Sequence, residues 1–103
     1  MLNQTVLVGR LVKGVELEKE GDKNVATMTL AIPRSYKNEY GEYDTDFIDC
    51  ILWNAIAENT SEYCRKGDVI GIKGRLQANE KKEIELIAEK VTFLSSKKEE
   101  MEK

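Results

Sequence analysis

Hydrophobic and polar residues alternate over several short stretches of this chain, which is the pattern of β-strands with one buried face. The alternation is clearest in residues 25–32, where four apolar side chains lie on one side and two threonines on the other. Gly14, and then Gly21 and Asp22, mark turns between stretches. We predict five strands, which cover residues 5–12, 25–32, 47–53, 68–78 and 83–94.

One segment between the third and fourth predicted strands is typical of a helix. Residues 54–65 place Ile56, Thr60 and Cys64 near one face, and Gly67 follows as a C-terminal stop. Three strands, a helix and two strands is the order of the OB fold, a closed five-stranded Greek-key barrel in the all-β class. Other small β folds share the strand count, but the position of the helix favours the OB fold.

The length of 103 residues suits a single domain. We assign residues 1–95 to the OB-fold domain and residues 96–103 to a short charged C-terminal extension. Pro33 is expected to end the second strand, because proline cannot donate a hydrogen bond to a ladder. Residues 37–46 are expected to form a polar loop.

The third predicted strand carries the clearest indication of function. One side of it holds three medium apolar residues suited to a barrel interior: Ile48, Cys50 and Leu52. The other side holds a charge between two aromatic residues: Phe47, Asp49, Ile51 and Trp53. Because so small a barrel cannot enclose both sets, the set with the charge is expected to face outward.

Outward aromatic residues beside basic ones are typical of proteins that bind single-stranded nucleic acid, because rings stack on bases and cations neutralise phosphates. The basic and aromatic candidates near the strand are Lys73, Arg75, Arg34, Tyr36 and Lys37. The pattern alone leaves an alternative for each group. Packing against the helix or another subunit would also explain Phe47 and Trp53. For Lys73 and Arg75 the alternative is that they are solvated charges on a sheet face. Tyr40 and Tyr43 are interpreted as loop-packing residues.

Composition excludes several classes of protein. Histidine is absent and no carboxylate pair stands in a recognisable motif, so we expect no enzyme, no catalytic residue, no cofactor and no metal site. The two cysteines are expected to be reduced core residues. We find no secretory signal and no membrane span, which makes the cytoplasm the expected location. The formal net charge of −3 does not by itself indicate nucleic acid.

Six segments in register resemble the bacterial single-stranded DNA-binding protein family. They are MLNQTVLVGRLVK, VATMTLAI, DFIDCILW, AENTSEYCRKG, GRLQ and AEKVTFL, which together cover roughly residues 1–94. The resemblance implies an OB fold that binds single-stranded DNA with little sequence specificity and protects it in replication, recombination and repair. It also implies a homo-oligomer, with a tetramer favoured over a dimer, that pairs subunits through residues 2–8.

The resemblance also implies roles for individual residues. Tyr36, Phe47 and Trp53 stand where the family has base-stacking aromatic residues, and Lys37 and Lys66 where it has phosphate contacts. Strand and loop geometry adds four further candidate DNA contacts: Arg10, Arg34, Lys73 and Arg75.

Two departures from the family pattern weigh on these expectations. The loop between the last two strands is short and has no aromatic residue, so one stacking platform is missing. Residues 97–103 do not form the acidic and hydrophobic tip with which the family recruits replication and repair enzymes. An alternative is therefore an OB-fold interaction protein of the primosomal accessory type, which acts mainly through protein contacts.

Overall fold

The computed structural model describes residues 1–96, which form six β-strands and one α-helix. The elements are β1 (Thr5–Leu11), β2 (Glu16–Glu20), β3 (Lys23–Lys37), β4 (Tyr43–Trp53), α1 (Asn54–Tyr63), β5 (Val69–Ala78) and β6 (Ile84–Ser95). Residues 97–103, most of the charged extension predicted from the sequence, lie outside the described residues.

Five of the strands close into a barrel in the order β1, β5, β6, β4, β3. A short antiparallel pairing of β1 with β3, at Arg10 with Ala31 and Leu11 with Leu30, completes the ring. Strands β4 and β6 pair in parallel, and the helix α1 directly follows β4 in the chain. This topology confirms the predicted OB fold.

The barrel interior is filled by the apolar side of each strand. The largest fully buried side chains are Leu11, Met28, Leu30, Leu52, Ile70 and Cys50. Gly9 sits where β1 crosses β3, and a Cβ there would lie 2.7 Å from Cγ1 of Ile32 and 2.9 Å from the carbonyl oxygen of Ala31. Only glycine therefore allows the two strands to approach closely enough to close the ring.

The helix covers one end of the barrel. It begins directly after β4, and Asn54 makes the sharp turn with φ of 55°, a left-handed conformation that asparagine tolerates. Its buried side chains are Ala57 and Thr60, and Cys64, the residue after the helix, is buried as well. The helix ends at Tyr63, two residues earlier than predicted, and Gly67 with φ of 93° serves the turn into β5.

Two features of β-structure were not predicted. The strand β2 pairs only with β3, and all five of its side chains are exposed, so it shows no alternation of apolar residues. The prediction that Pro33 ends the second strand is wrong, because β3 continues to Lys37 as a two-stranded ribbon with β4. Proline is tolerated there because beyond the barrel β3 has a free edge.

Candidate nucleic-acid interface

The outward side of β4 carries the aromatic residues that the alternation predicted. Cys50 and Leu52 are fully buried and Ile48 packs against the core, so the opposite set faces outward. Phe47 is 65% exposed, and Trp53 is partly buried opposite Val25 of β3. The two rings are six positions apart in the sequence, which corresponds to about 20 Å along the strand.

Asp49 lies between the two aromatic residues, and its partner is a hydroxyl rather than a basic side chain. It faces Thr29 across the β3–β4 pair, and the Thr29 hydroxyl donates a hydrogen bond of 2.6 Å to Oδ1 of Asp49. The exposed side chain places an acidic group on this face. Phosphate is therefore disfavoured at the centre of this face, while a base is not.

Two grooves follow the outward side of β4. The first, of about 550 Å³, is the Trp53 groove, lined by Trp53, Asn54, Ala55, Ile56, Arg75, Ile87, Ala88 and Glu89. The second, of about 320 Å³, is the Asp49 groove, lined by Thr27, Asp49, Ile51, Asn79, Glu83, Ile84, Glu85 and Leu86. Both grooves lie between β4 and the β5–β6 hairpin, and together they are called the channel; Trp53, Asp49 and Ile51 line it from β4, while Phe47 lies beyond it.

At the Trp53 end of the channel, the predicted basic residues lie on β5. Arg75 lines the Trp53 groove, but its Nη1 lies 3.3 Å from Oε2 of Glu89 and its Nη2 donates to Gln77. Lys73 is exposed two residues earlier on the same side of β5, with no ion-pair partner within residues 1–96. Arg75 therefore lines the same groove as Trp53, with its charge balanced by a carboxylate.

At the Phe47 end, the strand register places Arg10 in one row with the aromatic ring. Arg10 of β1 is opposite Ala31 of β3, which is opposite Phe47 of β4, and paired residues share a face. The Arg10 guanidinium donates a 2.7 Å hydrogen bond to the carbonyl oxygen of Gly67. This contact brings Arg10 to the turn that carries Lys66, whose side chain is exposed.

The β3–β4 ribbon carries the remaining predicted residues, and it does not bring Arg34 to the Phe47 side. Arg34 binds Asp46 through two hydrogen bonds of 2.9 and 3.1 Å and lies 3.8 Å from Asp44. Asp46 is opposite Ile32, which packs on the core, so both carboxylates project from the inward side of β4. These hydrogen bonds and charges raise the pKa of Arg34 above its ordinary value.

The other ribbon residues of interest are all exposed. Lys37 is paired with Tyr43, and its Nζ lies 5.8 Å from the centroid of the Tyr43 ring. Tyr36, the residue before Lys37, is exposed and close enough to Arg34 to contribute to its raised pKa. Tyr40 and Tyr43 are exposed as well, so their interpretation as loop-packing residues is wrong. Their exposure follows from their position in an extended hairpin, and the sequence did not predict that hairpin.

The loop between β5 and β6 is short and organised around one side chain. The Asn79 Oδ1 accepts hydrogen bonds from the backbone N–H groups of Lys81 and Glu83. Lys81 and Lys82 are exposed at its tip. The loop closes one side of the Asp49 groove without an aromatic ring.

Other kinds of site are not found in the part of the chain that the structure describes. Residues 1–96 contain no group of three or more His, Cys, Asp or Glu side chains placed to hold a metal ion. No helix among them has the length and apolar character needed to cross a membrane. Cys50 and Cys64 are free and buried, and burial raises the pKa of both thiols, to about 11 for Cys50.

Comparison with known proteins places this geometry in a family. The model of the single-strand binding protein family matches residues 2–94. The chain belongs to the single-strand binding protein family. Single-stranded DNA-binding protein B of Bacillus subtilis is 41% identical over 109 aligned positions, with 97% of this chain and 96% of that protein covered. Single-stranded DNA-binding protein 3 of Listeria innocua is 43% identical, with 94% of this chain and 66% of that protein covered.

Solved structures from the family share the fold. The domain from a Synechococcus single-strand binding protein superposes with a TM-score of 0.71 at 22% identity and covers 88% of this chain and 94% of its own. The second single-stranded DNA-binding protein of Mycobacterium smegmatis gives a TM-score of 0.68 at 20% identity, with 88% and 87% covered. The resemblance noted in the sequence is thereby confirmed at the level of family and fold.

Proposed function

We propose that this protein binds single-stranded DNA with little sequence specificity. The observation that carries the proposal is the pair of aromatic residues on the outward side of β4: Phe47 projects into solvent, and Trp53 lines an open groove. A large exposed ring on a strand face is explained by a ligand with flat apolar surfaces. Membership of the single-strand binding protein family supports DNA as that ligand.

Stacking supplies affinity that does not depend on base identity. Each base stacked on an aromatic ring contributes roughly 1–3 kcal/mol, and every base offers a flat face. The Asp49 carboxylate between the rings turns phosphates away from the floor of the channel, so bases face the sheet and the backbone follows its margins. Lys37 on the ribbon, Lys66 in the turn after α1 and Lys73 on β5 are exposed and make no ion pair within residues 1–96, so we assign phosphate contacts to them.

The two arginines with carboxylate partners remain candidate phosphate contacts. An exposed ion pair contributes only about 0–1 kcal/mol, so a phosphate can replace Glu89 on Arg75 or Asp46 on Arg34 at small cost. Arg10 contributes through the position it gives to the turn at Lys66. These assignments, like those of Tyr36, Phe47 and Trp53, are part of the proposal.

The biological role that we propose follows from this chemistry. A protein that covers exposed bases without regard to sequence protects single-stranded DNA during replication, recombination and repair, in the cytoplasm, and it catalyses no reaction. The relatives are named for single-stranded DNA binding. An OB-fold protein that acts mainly through protein contacts is therefore not favoured.

We also propose that the protein is a homo-oligomer that pairs through β1, with a tetramer favoured over a dimer. Along its first five residues β1 pairs with β5 alone, so one edge of it has no partner strand within residues 1–96. Val6 and Val8 are exposed beside this edge. Light scattering tests the proposal, and a monomeric mass would contradict it.

The DNA-binding proposal is tested by titrating Trp53 fluorescence with oligo-dT at several salt concentrations. Trp53 is the single tryptophan, so any quenching reports on this face. Three lysines that each neutralise one phosphate predict a slope of log K against log salt of about −2. Absence of both quenching and a mobility shift at low salt would sink the proposal.

A further inference from the structure

We propose that Tyr43 is a further base-stacking residue, which extends the site from the barrel onto the β3–β4 ribbon. This inference rests on the proposed function and adds to it a residue for which the sequence suggested only loop packing. Tyr43 is 56% exposed, although it belongs to a regular strand and not to a loop.

The strand register places Tyr43 on the same side of β4 as the other two rings. The pairings Pro33 with Thr45 and Lys37 with Tyr43 advance two residues on β4 and four on β3, so the irregularity lies in β3. Alternation along β4 therefore continues unbroken, and Tyr43, Phe47 and Trp53 share one face. The row of rings extends about 33 Å along the strand, with about 13 Å between Tyr43 and Phe47.

The surroundings of Tyr43 suit a nucleotide. The Lys37 ammonium lies 5.8 Å from the centroid of the ring, within the range of a cation–π interaction. That contact holds a positive charge over one face of the ring, so a base would stack on the other face. A platform and a cation without a carboxylate partner thus occur together, whereas the cation beside Tyr36 is Arg34, whose charge is balanced by Asp46.

Side-chain hydrogen bonds order the backbone at the end of the ribbon, next to Tyr43. Oδ1 of Asn38 accepts hydrogen bonds from the backbone N–H groups of Tyr40 and Glu42, at 2.8 and 3.0 Å. Nδ2 of Asn38 donates to Asp44, the residue after Tyr43. A backbone ordered in this way before binding loses little conformational entropy when DNA binds.

The inference also accounts for where the strand of DNA goes after Phe47. At the other hairpin, the β5–β6 loop offers carboxylates and no ring beside the Asp49 groove. The ribbon offers three exposed tyrosines, of which Tyr43 continues the established row. The bound strand therefore runs from Trp53 past Phe47 to Tyr43.

Four proteins test this inference: the wild type, Tyr43→Ala, Tyr43→Phe and the matched control Tyr63→Ala. Tyr63 is 70% exposed on α1 and lines a different groove, between the helix and β6. Each protein is titrated with oligo-dT of increasing length, with Trp53 quenching as the readout, and its thermal midpoint and mass are measured.

On long oligonucleotides, Tyr43→Ala should bind about 5- to 150-fold more weakly than the wild type, which is the loss of one stacked base. Tyr43→Phe and Tyr63→Ala should bind as the wild type does. On the shortest oligonucleotide that the wild type binds, Tyr43→Ala should show little loss, because Phe47 and Trp53 suffice.

Equal affinity of Tyr43→Ala and wild type at every length would overturn the inference and leave the proposed function intact. So would a change of mass without a loss of affinity, which would make Tyr43 a contact between subunits. Failure of the wild type to bind any oligonucleotide would instead overturn the proposed function.

Discussion

Phe47→Ala separates a stacking role from a structural one, because the ring is mostly outside the protein. With 65% of Phe47 exposed, only about a third of it contributes to packing. Truncation of a fully buried Phe costs about 3–5 kcal/mol, so the expected loss of stability here is about 1–2 kcal/mol. A domain of ordinary stability remains folded after that loss. DNA affinity should fall by about 5- to 150-fold, the equivalent of one stacked base.

The measurement uses the Trp53 fluorescence that Phe47→Ala retains. Oligo-dT is titrated into the wild type and the variant at matched salt, and the salt dependence is measured for both. Phe93, the other phenylalanine of the chain, provides the control, since it is 48% exposed and lines the separate groove between α1 and β6. Phe93→Ala should leave the affinity unchanged.

The salt slope distinguishes stacking from an indirect electrostatic effect. A ring neutralises no phosphate, so Phe47→Ala should lower log K equally at every salt concentration and leave its slope as in the wild type. Wild-type affinity in Phe47→Ala would refute the assignment. A collapse of the thermal midpoint would show instead that the ring packs against something, as the sequence alone also allowed.

Three further changes probe the charges and the core. Glu89→Gln should free Arg75 and strengthen DNA binding, with a salt slope steeper by about 0.7; unchanged binding would mean that Arg75 contacts no phosphate. Arg10→Ala should lower stability by about 1–2 kcal/mol in thermal melts, because the Gly67 carbonyl loses its donor; an unchanged midpoint would contradict this. Burial raises the pKa of Cys50 from 9.0 to about 11, so the neutral thiol stabilises the fold fully below pH 9, and this stabilisation is lost as the pH rises toward 11. Urea midpoints should therefore fall less over that interval in Cys50→Ala than in the wild type, and parallel curves would exclude the effect.

Alternation predicted the barrel strands well because a closed barrel imposes it. Each strand has one side in a dry interior and one outside, so the sequence of residues 47–53 contains the geometry that the structure shows. The strand β2 and the ribbon beyond Pro33 lack that constraint. Neither side of them faces the core, and their stability comes from pairing, which leaves no period in the sequence. Tyr43 was assigned to a loop for this reason.

The charge partners of the candidate site could not be predicted either. Arg34 meets Asp46 only because the two strands of the ribbon pair in one register, and the extra residues on β3 shift that register. Arg75 meets Glu89 across the β5–β6 hairpin, beside a second irregularity at residues 73 and 74. Irregular registers of this kind depend on the whole sheet. The residue types alone therefore indicated which side chains are positively charged, but not which carboxylates they pair with.

These charge partners and the net charge of −3 bear on where the affinity for DNA comes from. The arginines on the ribbon and on β5 are balanced by carboxylates, and Asp49 adds a negative charge on the floor of the channel. A face of this kind gains little from the general attraction between cations and phosphates. We therefore expect its affinity to come mainly from the proposed aromatic row on β4, whose stacking is insensitive to salt. Truncating a ring should accordingly cost more affinity than removing any single basic residue, and the spacing of the rings along β4 should set the length of DNA that one subunit covers.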